Sequence, residues 1–395
     1  MKYNFETIRP RYDVNSFKWN EMKEAVPDLE EGIIPFSIAD MEFETAPEIV
    51  AGLKAYLDRY VLGYSNPTDR FKESVVQWMK NRHHWEVKKE WMLFTHGIVS
   101  AFYMAVHVFT EPGDGVMLMT PCYYPMYHAI ENNNRVLVNN AMIQNGDHYE
   151  IDFDDFEKKA KDPKTKLLIL CSPHNPTGRV FTREELTRIG RICIDNHVMI
   201  CDDEIHNDLI MPGYEHIVFG SISKEFAEHS MICIAPSKTF NLAGLQTSTI
   251  LIANPEIRER FLQYQCRDTD APKCNVLGYE ANRIAYEECG GWLDECIQVI
   301  NRNRMIIEEF FSRELPQIKV TRLEATYLLW MDFREFGIEA KKLSRILRVE
   351  GHLFFDDGYM FGQQGTGFER WNLACPTSYI QAALIRLKKA LAPYI

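Results

Sequence analysis

The chain has 395 residues, of which 46% are hydrophobic and 25% charged, and its formal net charge is −12. This length accommodates one large α/β unit or two coupled domains with a sizeable core. The acidic balance argues against a general nucleic-acid surface, which needs a basic stripe, and no apolar run is long enough to span a membrane.

The first residues, Met1 to Thr7, contain no apolar core of signal-peptide length. The ten cysteines form no Cys-x-x-Cys pair, and several, such as Cys171 and Cys201, end apolar runs. Buried, reduced thiols in a cytoplasmic setting are expected, with no metal site. Thr95-His-Gly97-Ile98-Val99-Ser100 leads into the apolar run Ala101–Val108 and reads as a helix start, whose free amides suit an anion. Pro121-Cys-Tyr123-Tyr124-Pro125 sets two tyrosines in a proline-bracketed loop.

Lys166 to Ser172 reads as a buried strand, and Pro173 to Gly178 as a loop. Thr182, with Glu185 three residues later, predicts a capping box and a helix to about Asn196, with Leu186, Ile189, Ile192 and Cys193 on one face. Val198 to Asp202 is the next strand. This βαβ spacing predicts a parallel sheet, whose ligands bind outside the carboxyl ends of the strands. Ser172–Gly178 and Asp202–His206 then share one rim, and Lys238 joins them just past a further strand at Met231–Ala235. Helices at about 293–314 and from Ile380, around strands near 318–323 and 326–332, predict a smaller α+β domain.

A lysine amine in a pocket that keeps it partly deprotonated can anchor an aldehyde as a Schiff base. Pyridoxal phosphate uses such an anchor and asks for three further things: a carboxylate for its ring nitrogen, a donor for its phenolate oxygen and amides or hydroxyls for its phosphate. Asp203, Asn175, and Gly97, Ile98, Val99 and Ser237 are the candidates in that order, with Lys238 as anchor.

Asn175-Pro-Thr-Gly178, Asp203-Glu-Ile, Ser237-Lys238-Thr-Phe-Asn241 and Arg370 follow one another as in the fold-type I pyridoxal-phosphate enzymes of the aminotransferase class, which the chain resembles from Ala39 to Ala374. Ser172 to Val180, Asp203-Glu-Ile-His206, Met211 to His216 and Ala235 to Asn241 resemble the MalY/PatB branch more closely. That branch holds the cystathionine β-lyases and the cysteine desulfhydrase cystalysin.

The resemblance implies a large domain with a mostly parallel seven-stranded sheet at 46–285. A small domain at 286–395 would be joined by the segment 1–45. It implies a homodimer with shared sites and α,β-elimination of an amino acid carrying sulfur on Cβ. Tyr123 would stack on the cofactor ring, and Tyr64 would reach the phosphate of the neighbouring subunit. Arg370, with Asn175 and Ala39, would hold the substrate, and Tyr124 or Tyr64 would assist Lys238 in proton transfer. An aminotransferase shares the early steps, and some members of the branch also act as regulators by contacting a transcription factor. Three positions depart from the wider class: His206 replaces a tyrosine, Gln246 a phosphate-binding arginine and Ala235 a phosphate-binding serine.

Overall fold

The computed structural model describes residues 1–270 and 274–395. Nine strands occupy its first two-thirds: β1 Met92–Thr95, β2 Gly115–Thr120, β3 Val136–Ala141, the hairpin β4 Ile143–Asn145 and β5 His148–Glu150, β6 Thr165–Cys171, β7 Met199–Asp203, β8 Ser230–Ile234 and β9 Ser248–Leu251. All but the hairpin form a seven-stranded sheet in the order β1-β9-β8-β7-β6-β2-β3. Neighbours are parallel except at β9, which runs antiparallel to both β8 and β1.

The apolar run of β6 is buried on both faces, as a strand between helical layers must be. Leu168 and Leu170 point into one core with Ile200, Ile232 and the helix Arg183–Asp195. Leu167 and Ile169 point into the other, with Met199, Met231 and the helix Ile98–Phe109. The side-chain period of two builds both layers from one sequence run. The capping box predicted at Thr182 and Glu185 is present on both sides, and it fixes where the crossover helix begins.

A second sheet follows, from β10 Lys319–Val320, β11 Leu328–Asp332, β12 Asp356–Asp357 and β13 Phe368–Asn372. It is antiparallel in the order β10-β11-β13-β12. Its core is shared with the helices Gly290–Glu314 and Thr377–Leu391 through Ile300, Ile307, Ile380, Leu384 and Leu387. The strand expected from 326 begins only at Leu328, because Thr326 turns the chain at φ +72°. No helix among the described residues is long and apolar enough to cross a membrane.

Residues 36–43 form an extended strap between the two sheets. Phe36 donates its N–H to the Phe354 carbonyl and accepts from Asn372 N–H, each at 2.9 Å. Further along, Met41 donates its N–H to Asn241 Oδ1 at 2.9 Å. The strap thus ties β13 to the segment that follows Lys238.

Candidate active site

A cavity of about 730 Å³ opens at the carboxyl ends of β6, β7 and β8. Lys238 reaches it from the short helix Pro236–Thr239, directly after β8. Its Nζ donates to the Ala39 carbonyl at 2.7 Å, and that carbonyl also accepts from the Tyr327 hydroxyl at 2.8 Å. Burial lowers the Lys238 amine to about 8, and Arg370 and Lys18 add to this while Asp40 and Asp203 oppose it. A lysine in this state keeps a share of free amine at neutral pH, as a nucleophile or base requires.

Asp203 ends β7 and is buried at the same cavity. It accepts the Ile205 N–H at 3.2 Å, yet burial pushes its carboxyl up to about 7. A cationic ring nitrogen against this carboxyl would restore its charge and keep its own proton. His206, three residues on, is held well below its usual pKa by burial and then by the Lys238 and Arg370 cations. It is therefore a neutral imidazole, and its buried Nδ1 has no hydrogen-bond partner among the described residues.

Arg370 on β13 is 2% exposed. Its Nε and Nη2 donate to Asp356 Oδ2 at 3.1 and 2.5 Å, and its Nη1 donates to Asn175 Oδ1 at 2.8 Å. With the Asn175 oxygen occupied, its amide N–H groups remain as donors for the cavity that Asn175 lines. Tyr123, just before the helix Tyr124–Glu131, lines the cavity with its hydroxyl held protonated by burial.

At the other end of the cavity, Gly97 caps the helix Ile98–Phe109 at φ +89°, a conformation that favours glycine. An added Cβ there would meet nothing within 4 Å. Ile98, Val99, Ser237 and Gln246 line the same end. The amides of a helix start, a hydroxyl and open space suit a phosphate. The site as a whole fits pyridoxal phosphate: an anchoring amine, an under-charged carboxyl, amide donors and an anion cradle in one cavity.

Three expected residues lie outside the cavity lining, and one of them, Arg370, meets it only through Asn175. Tyr124 is outside the cavity lining, with its ring 5.2 Å from that of Tyr123. Tyr64 is fully exposed in the stretch between the helices Pro47–Arg59 and Asp69–His83, where Val61 and Leu62 are exposed as well. Ala39 enters through its carbonyl. Ala235 is buried and does not line the cavity.

Sequence reasoning pointed to the stretch Phe354–Tyr359 as substrate lining but did not single out Asp356, and it did not find Tyr327; both reach the site only through strand pairing and the strap. It also did not find Asp208, whose carboxylate accepts from Trp78 Nε1 at 3.0 Å and Thr239 Oγ1 at 2.9 Å and pairs with His83 Nε2 at 2.8 Å. Thr239 is the residue after Lys238, so Asp208 steadies the turn that carries the lysine. Its nearest signal was the run Asp202 to Asp208, too rich in acid to single one out.

A family model described as aminotransferase class I and II matches residues 31–387. Cystathionine β-lyase PatB of Bacillus subtilis (strain 168) is 39% identical over 391 residues, covering 98% of this chain and 100% of the relative. The crystal structure of cystalysin from Treponema denticola, which contains pyridoxal 5′-phosphate, superposes with a TM-score of 0.97 at 46% identity, covering 100% of both chains. The pyridoxal-phosphate-bound C–S lyase from Staphylococcus hominis gives 0.92 at 30% identity, covering 99% of this chain and 98% of that one.

Proposed function

Since the chain belongs to the aminotransferase class I and II family, with its fold-type I architecture, we propose that it is a pyridoxal-phosphate-dependent carbon–sulfur β-lyase. It cleaves L-cystathionine or a related cysteine S-conjugate to a thiol, pyruvate and ammonia. The observation that carries this is the convergence of Lys238, Asp203 and Asn175 on one cavity, with Arg370 bonded to Asn175 behind its wall, in a chain similar over nearly its whole length to a named β-lyase.

Lys238 would anchor the cofactor, Asp203 would pair with its ring nitrogen, and Asn175, Tyr123 and His206 would bound its ring. Ser237 and the amides of Gly97, Ile98 and Val99 would hold its phosphate. When bound, the cofactor supplies an electron sink for the bonds broken at Cα and Cβ. Arg370 grips the α-carboxylate and so orients the substrate's Cα–H toward Lys238. Displaced from its anchoring role, Lys238 Nζ takes the Cα proton as general base. Lys238, Tyr124 or Tyr64 returns a proton to the departing sulfur.

The reading includes a cytoplasmic homodimer. Tyr64, exposed beside Val61 and Leu62, then reaches the neighbouring subunit's phosphate, where Gln246 offers no cation. All ten cysteines are free and nine are buried, which supports a reducing compartment. The test is to mix L-cystathionine with the holoenzyme and measure pyruvate and free thiol. Both products in equal amount support the lyase. Amino-group transfer to an added keto acid without pyruvate refutes it in favour of transamination.

A further inference from the structure

We propose that Asp356 sets how tightly Arg370 holds a carboxylate, a proposal that rests on the reading of Arg370 as the α-carboxylate site. Asp356 and Arg370 are register partners across β12 and β13. Asp356 Oδ2 accepts two of the guanidinium's N–H groups, and the Asn175 oxygen accepts a third. A guanidinium has five donors, so one N–H on Nη1 and one on Nη2 remain for a ligand. Phe361 covers the guanidinium at 4.5 Å from its ring centroid.

An incoming carboxylate therefore meets a buried cation that already carries an anion. At this depth the repulsion between the two anions is poorly screened and opposes the attraction of Arg370. Asp356 is held in place from a second side. It accepts the Ile38 N–H at 3.0 and 3.1 Å, while the Ile38 carbonyl accepts from Asn372 Nδ2 at 2.7 Å. Ile38 sits at φ +54°, a conformation β-branched residues avoid, so these bonds hold a turn the backbone alone would not adopt. The next carbonyl, of Ala39, is the one that meets Lys238. One carboxylate thus joins the carboxylate-binding arginine to the turn facing the catalytic lysine.

The consequence is a site that moderates its own grip on carboxylates. Tighter binding of substrate and transition state alike would lower KM without speeding the chemistry, and would slow the departure of the carboxylate product. Asp356 is in this sense a positioning residue that tunes affinity.

The experiment titrates propionate, an unreactive carboxylate, into wild-type, D356N and R370K holoenzymes by calorimetry. D356N keeps the shape and one acceptor and removes the charge. It should bind propionate roughly tenfold tighter or more, and R370K should bind it more weakly than wild type. A general structural lesion would not increase affinity. Should D356N fail to fold, D356S carries the same expectation. Unchanged or weaker binding by the Asp356 variants, with binding lost in R370K, overturns this proposal and leaves the role of Arg370 standing. Equal affinity in wild type and R370K overturns both.

Discussion

Cofactor-free protein should capture pyridoxal phosphate at a rate set by the free amine of Lys238. Lowering that amine from 10.5 to about 8 multiplies its deprotonated fraction at neutral pH by roughly 300. Below about pH 8 the capture rate should rise tenfold per pH unit, and above it the rate should level off. Rapid mixing, followed by visible absorbance of the bound cofactor, measures this directly. Burial is the main cause of the lowered pKa and Arg370 contributes, so Arg370→Gln should move the break to higher pH. The same shift has a thermodynamic face. Between about 8 and 10.5 the unfolded lysine holds a proton that the folded one has lost. The unfolded chain then binds more protons, so this group makes the cofactor-free protein more stable as pH rises through that window. A capture rate still climbing tenfold per unit well above pH 8 would refute the claim that burial activates Lys238.

Asp203→Asn removes the charge that keeps the ring nitrogen protonated, and kcat should fall by about 100-fold or more while the cofactor remains bound, as read by steady-state kinetics beside a cofactor titration. Arg370→Lys loses planar two-point recognition at a cost of about 1.5–3 kcal/mol, so KM for the amino acid should rise roughly 10- to 100-fold. Asp208→Ala leaves His83, Trp78 and Thr239 without their shared acceptor. At about 1–3 kcal/mol for each stranded donor, unfolding in urea should show a loss of at least about 3 kcal/mol. Dilution to monomer should release cofactor if Tyr64 serves the neighbouring subunit, and Tyr64→Phe should weaken retention without dissociating the dimer; cofactor fluorescence during size-exclusion chromatography follows both.

The parts of the site that lie near one another in the chain were legible in the sequence. β6, its loop and the helix capped by Thr182 announce themselves through an apolar run, a proline-rich turn and a capping box. The carboxyl-end rule alone then puts Asn175, Asp203 and Lys238 on one rim. Asp356 was not legible, because its partner Arg370 is assigned by antiparallel register and two-residue β12 carries no periodic signal. The reversed direction of β9 was also hidden: the four residues Ser-Thr-Ile-Leu of Ser248–Leu251 form a short buried strand whose sequence fits either direction. Ala39 was read as a substrate-binding residue, but its carbonyl meets Lys238 because of the turn at Ile38, whose positive φ nothing in an isoleucine suggests.

The strap from Phe36 to Phe43 also bears on how the protein is made. Asn372 Nδ2 bonds the Ile38 carbonyl across 334 positions of sequence, and Lys238 meets Ala39 across 199. At about 5–20 residues per second, a ribosome needs roughly 20 to 70 seconds between releasing one end of this clasp and the other. During that interval the strap's early residues wait without their partners. Nascent chains stalled before residue 372 should therefore contain a formed β6–β7 rim and still lack a closed pocket.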